Sequence, residues 1–223
     1  VGLDVAYDLM ASSSQFAEEG SDDTGWVVRA TFPGSNGGNS NQQTWFVDKE
    51  PGGYRIVGMD GAYEGIGRLV LSRIDAGKLD QAKVWLDRVR QQVRAGDGDD
   101  PLDGSMFARY WQQRQPAEAA SMRVAAAMLL GHTKPTASLA IPILEAARSK
   151  ATAAQQPAIL SSLEEAYFLT GKHDRSLPLA RQLLKELPQS PTAMGVAIRA
   201  AYAGPGRAAG AALLEEQVKF FKD

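Results

Sequence analysis

The 223-residue chain contains no cysteine, which removes disulfides, thiolate metal sites and cysteine nucleophiles together. That absence leaves the compartment open, since reducing and oxidising locations both accept such a chain. Histidine is almost as scarce. His132 follows a turn glycine directly and His173 follows one after a single lysine, and they are the only two. A turn histidine without a positioned partner in a cleft makes a poor acid, base or ligand. Neither sign of charge is in excess, with 24 Lys+Arg against 26 Asp+Glu and a formal net charge of -2. No basic surplus exists to neutralise phosphates, so nucleic acid is not an expected partner. No apolar run approaches the roughly 20 residues that span a bilayer, so membrane insertion is not expected. No charged-then-apolar leader is visible either. The chain reads as soluble, cytoplasmic or, after removal of a signal, periplasmic or secreted. Phosphate-binding glycine loops, zinc-protease motifs, serine elbows and kinase signatures are all missing. No catalytic residue, metal or cofactor is assigned.

The acidic segment GDGDDPLDG, with Asp97, Asp99, Asp100 and Asp103, is the best metal candidate by composition, because calcium takes several oxygens from a short loop. It fails the spacing that an EF-hand requires. Pro101 falls where the third side-chain ligand belongs, and the glutamate twelve positions on is missing. A solvated loop between helices is the expectation. The cluster Glu18, Glu19, Asp22 and Asp23 likewise reads as a solvated connection, since neighbours on a loop hold no fixed separation for paired-carboxylate chemistry.

What the chain does have is a recurring helix-turn-helix pattern centred on Gly77, Gly171 and Gly206. Ile66, Leu69, Val70 and Ile74 repeat at helical spacing before Gly77, and Leu79, Ala82, Leu86, Val89 and Val93 repeat after it. In LSSLEEAYFLTGKHDRSLPLARQLLKELPQSP, Leu163 and Tyr167 precede Gly171, Ser176 follows it and Pro188 closes the second helix. Ile198 and Tyr202 hold the same offsets before Gly206, and Ala211 takes the small position of Ala82 and Ser176. A glycine in these turns accepts the positive φ on which helices commonly end. MRVAAAMLLGHTKPTASLAIPILEAARS supplies a further candidate pair around Gly131, with a longer HTKP turn. The excess length between Gly77 and Gly131 is the acidic loop plus a short helix around Met106, Phe107, Tyr110 and Trp111.

This pattern resembles the tetratricopeptide repeat, most closely over 157–190 and more loosely over 64–95 and 191–223. It departs from that family where a glycine or alanine is usual seven residues before the turn glycine: Val70, Glu164 and Arg199 stand there instead. Arg73 also replaces the family's tyrosine in the first copy. The resemblance implies a mainly α chain, an α-α superhelix of about four hairpins, each hiding its apolar face against its neighbours. Its ligand groove would be lined by the first helix of each pair. Carried over by offset, the partner-binding positions are Leu71, Asp75, Glu165, Phe168 and Val196. Leu71, Phe168 and Val196 also suit packing against adjacent helices, the usual role of apolar residues at helical spacing. The asparagine and lysine set that clamps a carboxyl terminus in some members does not occur at these positions.

The first sixty residues follow another period. Val5, Leu9, Met10 and Phe16 suggest a helix within 4–18. WVVRATF, residues 26–32, alternates so that Trp26, Val28, Ala30 and Phe32 face one way and Val27, Arg29 and Thr31 the other. Thr44–Lys49 and Tyr54–Met59 read as two further strands joined by Glu50-Pro51-Gly52-Gly53. The division expected is therefore a small α+β segment with a three-stranded β-meander over 1–60 and a helical repeat domain over 61–223. TWFVDKEPGGYRIVG is similar to the closing strands of small curved-sheet domains such as the nuclear-transport-factor-2-like family.

The functional expectation is a non-catalytic module holding a peptide or partner protein on the concave face of the solenoid. The alternative is a structural or regulatory helical arm of a longer enzyme whose catalytic domain lies upstream of Val1. A third option is a small-ligand pocket lined by Trp26, Trp45 and Tyr54. Trp85, Tyr110 and Trp111 serve either partner contact or packing of the inserted helix.

Overall fold

The computed structural model describes residues 15–22, 25–32, 41–93, 99–112 and 118–220. The chain divides into two compact units, Val1–Ile66 and Gly67–Asp223, so the boundary falls inside a helix six residues beyond the compositional break at 60. Nine helices and four strands lie among the described residues.

In the first unit, β1 (Gln15–Asp22), β2 (Gly25–Phe32), β3 (Asn41–Glu50) and β4 (Gly53–Met59) form one sheet in sequence order. All three neighbouring pairs are antiparallel. The three expected strands are present, each slightly longer than its alternation suggested, and β1 adds a fourth at the edge. That corrects the helix expected over 4–18 where it reaches Gln15 to Glu18; residues 4–14 lie outside the described residues. QFAEEGSD has neither clean alternation nor strand-forming composition. Its ladder with β2 supplies the backbone partners, and such pairing overrides weak local preference. At the other end Glu50 pairs with Gly53 around Pro51 and Gly52, where Gly53 takes φ 142°.

Register sorts the two faces. Trp26 pairs with Val47 and Val47 with Ile56, while Val28 pairs with Trp45 and Trp45 with Met59. The opposite face carries Val27, Thr44, Phe46 and Asp48, all buried. Phe46 meets the Tyr63 ring edge-on at 5.8 Å. Alternation along β4 leaves Tyr54 and Ile56 exposed and buries Val57, and a slip between Phe46 and Val47 pairs Phe46 with Gly58.

The helices are α1 (Glu64–Asp75), α2 (Leu79–Gln92), α3 (Met106–Gln112), α4 (Ala119–Leu130), α5 (Lys134–Arg148), α6 (Gln156–Leu169), α7 (His173–Glu186), α8 (Pro191–Ala203) and α9 (Arg207–Phe220). From α4 onward each helix packs on its sequence neighbours. Gly77 and Gly171 end α1 and α6 at φ 72° and 73°. In both turns the amide after the glycine reaches back five residues, Lys78 to the Arg73 carbonyl and Lys172 to that of Tyr167. The glycine amides bond to Ile74 and Phe168. These two hydrogen bonds are a Schellman closure, which needs the left-handed residue that glycine supplies at little cost. Gly206 has φ 104° but donates to Ala201 across Pro205, a different closure. At the α4–α5 turn the Thr136 hydroxyl donates to the Leu130 carbonyl at 2.7 Å, doing with a side chain what a Schellman turn does with backbone.

Burial varies along the helical unit. Nine of the twelve residues of α4 are buried, leaving no solvated stripe of ordinary width. α6 is buried on most sides as well, whereas α8 buries only Ala193, Ala197, Ala200 and Ala201. The small positions Ala82 and Ser176 are fully buried, and Ala211 is half-buried. Trp85 is inaccessible, and Tyr110 and Trp111 are 2% and 3% exposed, so packing rather than open display is their role. The Trp111 indole donates to Asp87 at 2.9 Å, tying α3 to α2.

Candidate functional site

Among the described residues, a connected set of polar and aromatic side chains joins α6, α7 and α8. Arg199 of α8 places Nη2 2.6 Å from Glu164 Oε2 and 2.7 Å from Glu165 Oε2. Its guanidinium lies 4.1 Å from the centroid of the Phe168 ring, and Phe168 meets His173 edge-on at 5.4 Å. Below them the Ser176 hydroxyl donates to Glu164 Oε1 at 2.7 Å. Glu164 is 1% exposed, Glu165 27% and Arg199 36%, so one side of the cluster is core and the other is surface.

Burial pushes the Glu164 carboxyl above the ordinary glutamate range, partly offset by the Ser176 hydrogen bond and the Arg199 charge. For Arg199 burial acts to lower the pKa, but the two carboxylates outweigh it and hold the guanidinium up. Both directions describe one fact: Glu164 is dry and depends on its partners, while Arg199 has a second carboxylate and some water. Such a cluster clamps two helices and offers the outside a half-covered aromatic face with a charged rim.

Of the residues expected to bind a partner, Glu165 and Phe168 belong to this cluster, and both are half-buried. Val196, also half-buried, lies one turn before Arg199 on α8. Leu71 is half-buried on α1, and the exposed Asp75 at the end of that helix is bonded to Arg123 of α4. The five positions thus fall into two groups, one on α6 and α8 and one on α1. Arg199, Glu164 and Arg123 complete the groups and were not among the expected residues. For Glu164 and Arg199 a signal was available in part, because they, with Val70, break the repeat pattern at one shared offset and are the two charged residues there.

In the acidic loop Asp99 and Asp103 are exposed and Asp97 lies outside the described residues, but Asp100 departs from the solvated connection expected of it. Asp100 accepts hydrogen bonds from the Ser190 hydroxyl at 2.6 Å, the Thr192 amide at 3.1 Å and the Leu102 amide at 2.9 Å. Ser190 itself caps α8, its oxygen accepting from the Ala193 amide at 2.9 Å. Burial raises the Asp100 carboxyl, but the bonds from Ser190, Leu102 and Thr192 prevail and hold it below the usual aspartate value. A cleft of about 580 Å³ opens beside this junction, lined by Asp99, Asp100, Pro101, Glu186, Leu187 and Pro188 among others. A second, of about 430 Å³, lies between α5, α6 and α7. There the Tyr167 hydroxyl donates to Glu145 at 2.8 Å and Arg148 to Gln182 at 2.7 Å.

In the sheet unit, Trp26 and Tyr54 stack edge to face with centroids 4.6 Å apart. Tyr54 is 68% exposed and Ile56 63%, so these aromatics contact each other on an open face. Among the described residues no group of three or more His, Asp or Glu side chains is arranged to hold a metal ion. No helix among them is long and apolar enough to cross a membrane. No family model, curated protein or solved structure matches this chain.

Proposed function

We propose that the helical unit is a protein-interaction module, a tetratricopeptide-like array of hairpins that receives a peptide or partner protein on the face formed by its first helices, α1, α4, α6 and α8. The observation that carries this reading is the Arg199 cluster. A clamp whose inner half is dry fixes the spacing of α6 and α8, and its outer half leaves Phe168, Glu165 and Val196 partly open on adjacent first helices. Asp75 and Arg123 form a second ion pair between first helices, α1 and α4, exposed at both ends. Aromatic and arginine side chains on a preorganised surface are what a protein partner uses best. The Schellman closures at Gly77 and Gly171, and the neighbour-on-neighbour packing from α4 to α9, also support a stacked array.

The test begins with a partner captured by cross-linking to the full chain, identified and remade pure. Its affinity is then measured by calorimetry against Phe168→Ala and Val196→Ser. A loss of about tenfold or more at unchanged melting temperature supports the reading, since one well-placed aromatic anchor contributes about 1–2 kcal/mol. Unchanged affinity combined with a large drop in melting temperature would assign both side chains to packing alone.

A further inference from the structure

The inserted helix α3 does not belong to any hairpin. It packs on α2, α4 and α6, and α5, which follows α4 and precedes α6, is not among its principal neighbours. α4 and α6 are the first helices of consecutive hairpins, so α3 lies across the first-helix side of the array. The segment leading into it reaches further. Asp100 binds Ser190 and the Thr192 amide at the start of α8, the next first helix. Arg109 on α3 folds back onto the Asp100 and Asp103 carbonyls at 3.0 and 2.7 Å, fastening loop and helix into one piece.

Local sequence does not explain why α3 is a helix. Seven residues are too few to hold a helix in water, so the surface beneath must supply the stability. Met106, Phe107, Tyr110 and Trp111 are all buried, at 6%, 1%, 2% and 3% exposure. α4 shows the complementary property. It is apolar nearly all round, as expected of a helix covered on the side that an array leaves open as well as on the side facing α5. α8, whose start binds Asp100 but which is not among the principal neighbours of α3, keeps a single buried stripe. A short helix ordered by a groove through apolar anchors is the geometry of helix-in-groove recognition, achieved here within one chain.

We infer that the first-helix face of α4 and α6 is a recognition surface for a short amphipathic helix with large apolar or aromatic side chains at positions one, two, five and six, behind a serine cap (Ser105 accepts from the Ala108 amide) and an acidic anchor such as Asp100, and that residues 99–112 are its resident occupant. A partner carrying that pattern binds by replacing α3. The inference rests on the hairpin-array reading above but makes a separate demand on it. Apparent affinity for an incoming helix is reduced by the fraction of molecules whose face is vacant, so loosening the resident segment raises affinity without touching the face.

The probe is a fluorescent peptide of residues 99–112, DDPLDGSMFARYWQ, titrated by anisotropy against the full chain and two variants. Asp100→Ala removes the anchor at α8; the pair Phe107→Ser and Trp111→Ser empties the face. Both variants are expected to bind the peptide about tenfold or more tightly than the unaltered chain, and a peptide with serine at Phe107 and Trp111 is expected not to bind. Hydrogen exchange supplies the second readout. In Asp100→Ala the amides of α3 should exchange about tenfold faster while those of α6 and α7 stay protected. The inference is overturned if the peptide ignores both variants, or if α3 stays as protected as α6 in Asp100→Ala and the emptied variant loses its helical signal. In either case α3 is permanent core. A partner weakened by Phe168→Ala survives that outcome, so failure here is distinguishable from failure of the array reading.

Discussion

Arg199 stands seven residues before Gly206 and Glu164 seven before Gly171, and the two are joined by an ion pair of 2.6 Å between α8 and α6. The offset is where a tetratricopeptide repeat normally places glycine or alanine so that helices approach closely. Here two successive positions carry opposite charges, and the space a small residue would save is filled by a carboxylate, a guanidinium and the Ser176 hydroxyl. The pair specifies which helix meets which through its dry member, because the Glu164 carboxylate, 1% exposed, is not tolerable against an apolar neighbour while Arg199 keeps some water.

The two members are not equivalent, and stability measurements should show it. Arg199→Ala strips the inaccessible Glu164 carboxylate of its cation, and is expected to cost about 3 kcal/mol in urea unfolding. Glu164→Gln leaves Arg199 with Glu165 and removes a dry charge, so its cost is about 1 kcal/mol or less. A double-mutant cycle should return a coupling of about 1–2 kcal/mol. Equal costs for the two single variants would contradict the asymmetry in exposure.

The pH dependence of the pair follows from the raised Glu164 pKa. A carboxyl whose folded value exceeds its unfolded value contributes most when both states are protonated, below the ordinary glutamate range, and loses that contribution as pH rises through the folded value. Asp100 has the opposite sign: its depressed value gives stability above the ordinary aspartate range that disappears as pH falls through the folded value. Glu164→Gln should therefore flatten the decline of stability just above the ordinary glutamate range. Asp100→Asn should blunt the loss at lower pH. Unfolding midpoints taken across acid pH distinguish the two, and a common shift in both variants would refute the assignment.

Local demands of this chain were legible and distant partnerships were not. Gly77 and Gly171 announce positive φ because few other residues fill it, and Glu50-Pro51-Gly52-Gly53 announces a hairpin for a similar reason. β1 went unread because QFAEEGSD owes its conformation to pairing with β2. Trp85 was ambiguous because its stripe looks exposed until α2 meets other elements. Asp100 looked solvated because its partners Ser190 and Thr192 lie about ninety positions away, and no local pattern encodes that contact. Glu164 and Arg199 were visible only as irregularities. Opposite charges at one repeat offset were the available clue to their pairing.

The glycines separate two physical roles. At Gly171 a Cβ would meet nothing within 4 Å, so Gly171→Ala costs only the left-handed strain, about 1 kcal/mol. At Gly67 the same atom would lie 2.9 Å from the Ala126 carbonyl and 3.0 Å from Leu130 Cγ. Gly67→Ala therefore forces α1 away from α4 and should cost about 2–3 kcal/mol. Chemical denaturation of the two variants tests the order, and a cheaper change at Gly67 would mean that α1 shifts freely on α4.

Aromatic substitutions discriminate display from packing within each unit. Trp85 is fully inaccessible, with the Arg88 guanidinium 4.7 Å from its ring, so Trp85→Ala should cost about 3–5 kcal/mol and lower the melting temperature of the helical unit sharply. Tyr54 gives up mainly its edge contact with Trp26, and at 68% exposure Tyr54→Ser should change stability by about 1 kcal/mol or less. Its signature is expected elsewhere. The open face of Trp26, Val47, Tyr54 and Ile56 holds apolar surface in contact with water, so Tyr54→Ser should reduce binding of a hydrophobic dye such as ANS while leaving the far-ultraviolet circular dichroism intact. Strong destabilisation by Tyr54→Ser would show that the ring is a structural element of the sheet, and an inert Trp85→Ala would contradict the packing of α2.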